Sequence, residues 1–214
     1  MSSTIGLDTP QVTAREKLTG RAMYAGDLKL PGMLHAKVLR SPYAHARIVR
    51  IDTAAARALP GVKLVVTGED TPKKLTGAHR KEHRILACEV VRHIGEEVAA
   101  VVATTEDIAR DALDLIEVEY EELPAVFDAE AALQEGAVEV HAGTKNRAYE
   151  MKIDRGDVEA GFARAVAIHE ATYDCPSQYP GYMEPMATLA SMGGDGRLTV
   201  WTSTQSVFLA RARY

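Results

Sequence analysis

The chain has 214 residues, of which 46% are hydrophobic and 26% charged, with a formal net charge of −5. That length accommodates one large or two small domains, and the composition is that of an ordinary globular protein. The negative charge argues against a nucleic-acid binder, and no apolar run approaches the roughly 20 residues that span a bilayer. Met1 to Pro10 lacks the regions of a signal peptide, so the expected location is cytoplasmic.

Along the chain, the segment to Pro10 is polar and reads as extended. "LHAKVLRSPYAHARIVRID" (34–52) reads as two strands joined by a turn at Pro42. "DTAAARALPG" (52–61) follows as a short helix, capped by Asp52 or Thr53 and stopped by Pro60-Gly61. "VKLVVTGED" (62–70) is rich in β-branched residues and makes a third strand. "EVAAVVA" (97–103) is a nearly continuous apolar run, as a strand buried on both faces should be. "TTEDIARDALDLI" (104–116) carries Thr104 or Thr105 as a cap and an apolar stripe of Ile108, Ala109, Ala112, Leu113 and Ile116. "IEVEYEELP" (116–124) alternates again, with Glu117, Glu119, Glu121 and Glu122 on a solvated face. Strand, helix and strand of these lengths predict a parallel pair with a crossover.

Residues 125–154 lose periodicity and read as a connecting segment with one helical turn near Ala129 to Leu133. A short helix over 156–165, a strand over 166–175, and a hairpin formed by 184–192 and 197–204 across "GGDG" complete the pattern. A further helix is expected directly after Gln205.

Most of the chemistry-bearing residue types have a simple reading. Lys73, Lys74, Arg80, Lys81 and Arg84, with His79 and His83 between them, form a solvated basic loop. Those two histidines apart, no His or Cys stands at metal-ligand spacing. Cys88 and Cys175 lie far apart and are expected to be free thiols. Glu96 and Glu97 are adjacent on a strand, point to opposite faces, and cannot work as an acid–base pair. "GGDG" lacks the helix a phosphate loop requires, and no GxSxG is present. What remains is Gln205, led in by Thr202, Ser203 and Thr204. On composition alone it reads as a helix cap or a surface residue.

Taken as an ordered series, "GRAMYAGDLKLPGMLHAKVLRSPYAHARIVRID", "PGV", "VTGED", "IGEEVAAVVA" and "IEVEYEELPAVFD" resemble the molybdenum-binding subunits of the xanthine dehydrogenase and aldehyde oxidase family. "GDVEAGFARAVAIHEATY", "QYPGYMEP" and "LTVWTSTQ" continue the resemblance. It implies an α+β fold: an extended segment at 1–14, an α/β-hammerhead domain at 15–128 and a connector at 129–154. The start of an α+β molybdopterin-binding domain then occupies 155–214.

The resemblance also implies hydroxylation of a heterocycle, aldehyde or aromatic thioester, with water as the oxygen source. The glutamine matching the family's STQ motif, Gln205, would sit beside the molybdenum as a cofactor-binding residue. No metal ligand or catalytic base is expected in this chain; the base glutamate belongs to sequence C-terminal to it. Glu184 matches a family glutamate that is read here as a hydrogen-bonder between segments rather than as that base. The chain departs from the family pattern at Glu97, where proline is usual, and at Pro180, where histidine is common.

The implied cofactor is molybdopterin, including its cytosine dinucleotide form, shared with a polypeptide that completes the second domain. The 2Fe-2S and FAD groups are expected on partner subunits, since no iron–sulfur cysteine cluster occurs here. The chain alone, as one piece of a truncated or split subunit, is expected to be inactive. The competing expectation is a non-catalytic hammerhead module that docks the iron–sulfur and flavin subunits, with Gln205 merely capping the last helix.

Overall fold

The computed structural model describes residues 5–77 and 80–212. The first element is a short helix, α1 (Ala14–Leu18), followed by a single 3-10 turn at Ala25–Asp27. Then come β1 (His35–Arg40), β2 (Ala46–Asp52), α2 (Ala54–Ala58), β3 (Val62–Thr67), β4 (Val90–Val91), β5 (Glu97–Ala103), α3 (Glu106–Asp114) and β6 (Glu117–Glu122). The chain continues through α4 (Ala129–Ala132), α5 (Val158–Ala163), β7 (Thr188–Met192), β8 (Leu198–Thr202) and α6 (Val207–Arg211). Two compact units emerge: residues 32–166 form one, and the segments before 32 and after 166 form the other. Among the described residues no helix is long and apolar enough to cross a membrane.

The larger unit is built on β5. It lies between β1 and β3 in one three-stranded sheet, while β2 lies between β4 and β6 in a second. The central position explains its apolar composition: Val98, Ala99, Val101 and Ala103 are all fully buried. Helix α3 packs on this sheet, placing Ala109 and Ala112, with Ile116 just past its end, in one core with Val65, Val101 and Ala56. The alanines allow close approach, and Thr105 caps the helix by accepting the Ile108 backbone N–H at 3.2 Å. A second core gathers Ala46, Ile48, Val91 and Val98. Ile51 and Val118 pack against both cores, so the two sheets share apolar contacts.

The loops quoted above as motifs are bound to each other. The Ser41 N–H donates to the Glu96 carbonyl at 2.9 Å, and the Gly95 N–H donates to the Ser41 carbonyl at 2.8 Å. The buried Ser41 hydroxyl donates to the Tyr43 carbonyl and accepts the Tyr43 N–H. Arg40 reaches both the Gly95 carbonyl and the Glu97 carboxylate at 2.7 Å, which gives the unusual Glu97 a partner. Gly61 turns the chain into β3 at φ +96°. A Cβ there would lie 2.7 Å from the Ile108 side chain, so the turn requires glycine on two counts.

The mixed helix and strand content agrees with the α+β expectation. Two details differ. Every strand pairing among the described residues is antiparallel, so β5 and β6 are not a parallel pair. Both edges of β5 are already taken by β1 and β3. After α3, therefore, β6 joins β2 in the other sheet, in register from Ala46↔Glu122 to Asp52↔Glu117. The expected strand over 166–175 is also absent: the segment is exposed and irregular. A strand needs a neighbour for its N–H and C=O groups, and no described segment pairs with this one. The solvated glutamate face of β6 is as expected, with Glu117, Glu119 and Glu121 exposed.

Val101 is 0% exposed at the centre of β5. Val101→Ala should lower the unfolding free energy by about 2–3 kcal/mol, the loss of two methyl groups plus a cavity. Val12→Ala, at a position 96% exposed, should change it by less than about 0.5 kcal/mol. Urea midpoints of the two variants check the contrast.

Candidate functional site

The smaller unit carries the candidate site on the β7–β8 hairpin. Successive residues pair from Met192↔Leu198 at the "GGDG" turn to Thr188↔Thr202 at the open end. There the two threonine hydroxyls lie 2.7 Å apart, a cross-strand pair that fixes register.

Past Thr202 the ladder stops, and side chains take over. The Ser203 N–H donates to the Ala187 carbonyl at 3.1 Å. The Ser203 hydroxyl accepts the Ala187 N–H at 3.3 Å and lies 3.2 Å from a Glu184 carboxylate oxygen. Thr204 Oγ1 accepts the Ser206 N–H at 3.1 Å and so shapes the turn into α6.

Gln205 occupies that turn. It is exposed, and its amide makes no hydrogen bond among the described residues. It does not cap α6: Ser206 holds the N-cap position, and no side chain bonds the helix N–H groups there. Leaving the amide unspent gives the turn one free donor pair and one free acceptor.

The same unit contains a cleft of about 770 Å³ lined by Met23, Tyr24, Leu28, Trp201, Val207 and Arg211, with Thr202 and Thr204 at its wall. Gln205 does not line it. Sequence reasoning did not find this cleft, because it joins residues near position 25 to residues near position 205 and no local periodicity links them. Glu184 does meet another segment, as expected, by accepting the Ser203 hydroxyl. Pro180 lies in an exposed, irregular stretch where Tyr179 and Tyr182 rings stand 5.7 Å apart.

In the larger unit the basic loop behaves as a solvated one. Arg80 and Lys81 are exposed, and the open cleft they border also holds Glu82 and Glu89. His79 lies outside the described residues. His83 meets His141 edge-on, with ring centres 6.1 Å apart, and burial lowers the His141 pKa below the ordinary imidazole value. Cys88 and Cys175 are free, and burial pushes the Cys88 thiol up, away from reactivity.

Among the described residues no three His, Cys, Asp or Glu side chains come together as a metal centre. The polar groups at the site are the neutral Gln205 amide, the threonine and serine hydroxyls, and the Glu184 carboxylate bound to one of them. Such a set fits hydrogen bonding to an oxygen of a metal cofactor held by other groups, not direct ligation.

Comparison with known proteins matches residues 19–124 to the aldehyde oxidase and xanthine dehydrogenase a/b hammerhead domain. Residues 140–214 match a molybdopterin cofactor-binding domain. The nicotinate dehydrogenase large molybdopterin subunit of Eubacterium barkeri is 37% identical over 204 residues, covering 94% of this chain and 48% of that protein. The xanthine dehydrogenase molybdenum-binding subunit of Escherichia coli O157:H7 is 37% identical over 212 residues, covering 94% of this chain and 28% of that protein. The crystal structure of quinoline 2-oxidoreductase from Pseudomonas putida 86 superposes with a TM-score of 0.82 at 36% identity, over all of this chain and 28% of that one. The chain thus spans between about a quarter and a half of the length of these relatives.

Because the Gln205 side chain makes no hydrogen bond among the described residues, Gln205→Ala should leave the thermal midpoint of the chain unchanged within about 2 °C. Far-UV circular dichroism during heating checks this; a clear drop would indicate a capping role.

Proposed function

The chain belongs to the xanthine dehydrogenase and aldehyde oxidase family of molybdenum-binding subunits, and on that premise we propose that it works as part of a molybdenum-cofactor-dependent hydroxylase. The substrate class is an electron-poor carbon in a heterocycle, an aldehyde or an aromatic thioester, with water as the oxygen source. The observation carrying this reading is the exposed Gln205 amide in the turn after β8, without a hydrogen-bond partner among the described residues and inside the segment that matches the cofactor-binding domain.

When bound, the molybdenum cofactor supplies the two-electron redox chemistry that takes up the electron pair released as the substrate carbon is oxidised. Gln205 would supply a hydrogen bond toward an oxygen of that group. A neutral amide does this without adding charge: a carboxylate would repel an electron-rich oxygen, and an ammonium would shift its basicity. Thr202 and Ser203 hold the strand end that presents the amide, and the cap-free turn into α6 leaves it available.

Burial supports a covering partner as part of the same reading. In the smaller unit no described residue is buried, and Met183, Met186, Val207, Phe208 and Leu209 are all more than half exposed. Apolar surface of that kind is covered in a stable protein. The covering proposed is polypeptide carrying the remainder of the molybdopterin-binding domain and the base glutamate. The 2Fe-2S and FAD groups sit on partner subunits, the pterin is carried in its plain or cytosine dinucleotide form, and the complex resides in the cytoplasm.

Purified with that covering polypeptide, the complex should contain about one molybdenum per copy of this chain. Gln205→Ala should lower turnover by about 10–100-fold, the range for partners around a metal, while molybdenum content stays within about 20% of the parent. A complex without molybdenum would overturn the reading in favour of a docking module. Metal analysis and steady-state kinetics provide the check.

A further inference from the structure

The last fixed point of the chain before Gln205 is Ser203, and it is fixed by a segment 19 residues upstream. We propose that Glu184 is a positioning residue: by accepting the Ser203 hydroxyl it sets the path of the chain leaving β8, and through it the aim of the Gln205 amide. The proposal rests on the reading of Gln205 given above.

Four contacts converge on Ser203. Its backbone N–H donates to the Ala187 carbonyl, and its hydroxyl oxygen accepts the Ala187 N–H. The hydroxyl has one proton and two acceptors in reach, Glu184 Oε1 at 3.2 Å and the Pro185 carbonyl at 3.4 Å. A carboxylate is the stronger acceptor and also the nearer one, so the proton goes to Glu184. The Ala187 N–H on the other side polarises the hydroxyl and strengthens the same bond.

No other interaction explains Glu184. It belongs to no ion pair among the described residues, and Ser203 is its one hydrogen-bond partner there. Its own placement is pre-set by sequence. Pro185 fixes its φ and keeps the preceding residue out of the helical region, so the segment carrying the carboxylate is extended before it meets Ser203. Downstream, the β7–β8 ladder ends at Thr188↔Thr202, and beyond it Thr204 Oγ1 makes only the local bond to Ser206. Loss of the Glu184 bond therefore leaves Ser203 held by its Ala187 contacts alone and loosens the path from 203 to the start of α6. A displacement of about 1 Å at a reacting site can cost up to roughly 100-fold in rate, so this clamp bears on turnover although it touches no substrate.

The test uses the assembled enzyme with Glu184→Ala, Glu184→Gln, Ser203→Ala and the Glu184→Ala/Ser203→Ala double variant. Glu184→Ala should lower kcat by roughly 10-fold with KM and molybdenum content unchanged. Glu184→Gln, which keeps an acceptor oxygen, should restore at least half of the parent kcat. The double variant should be no slower than the slower single one, because both remove the same bond. Independently of any metal, amide hydrogen exchange at Ser203 in the full chain should speed up in Glu184→Ala and not in Glu184→Gln.

Unchanged exchange at Ser203, multiplied losses in the double variant, or a Glu184→Gln enzyme as slow as Glu184→Ala would each overturn the proposal. The last result would assign the carboxylate a charge or proton role instead. Parent-level turnover in Gln205→Ala would overturn the reading of the site, while exchange at Ser203 would still decide the clamp itself.

Discussion

Strand β5 sets the limits for the larger unit. With β1 on one side and β3 on the other, both of its hydrogen-bonding edges are spent, and its side chains enter both apolar cores. The consequences run outward: α3 must be small-faced to pack on it, β6 must find another sheet, and the loops at its start must satisfy their own backbone groups through Ser41 and Arg40. Surface ion pairs such as Lys37–Glu106 and Arg50–Asp52 decorate this frame, but at that exposure each contributes little. The Ala54 backbone N–H, then Arg50, hold the Asp52 carboxyl below the ordinary carboxylate range. Whatever it contributes at neutral pH is lost as pH falls through its folded pKa.

The smaller unit obeys a different constraint. It has hydrogen-bonded order in the β7–β8 hairpin and the Ser203 contacts, but among the described residues it has no buried side chain. A hairpin without a covered face is marginal in water. The polar network around Ser203 thus acts as local scaffolding for a hairpin whose apolar side chains stay exposed. Under the proposed reading this combination suits a shared pocket wall, with an amide that has no partner among the described residues set beside the Ser203 contacts and exposed apolar side chains around it.

How much of this the sequence revealed depended on how local the signal was. The α3 stripe, the hairpin at "GGDG" and the alternating β6 were legible because period and turn chemistry act within about ten residues. The assignment of β6 to a second sheet was not, since it depends on which strand edges remain free, a property of the whole unit. The region 166–175 has strand-like composition but no neighbour to bond among the described residues. The Glu184–Ser203 contact and the cleft at Trp201 are likewise tertiary. Gln205 itself was singled out by the motif around it, since a strand-end glutamine taken alone has no distinguishing chemistry.

The central claim is a distance. A crystal structure of the assembled, metal-loaded enzyme should place the Gln205 amide nitrogen about 3 Å from an atom bound to molybdenum, with the Ser203–Glu184 contact intact. A Gln205 side chain more than about 8 Å from the metal, beyond the reach of a direct or single-water hydrogen bond, would contradict the account.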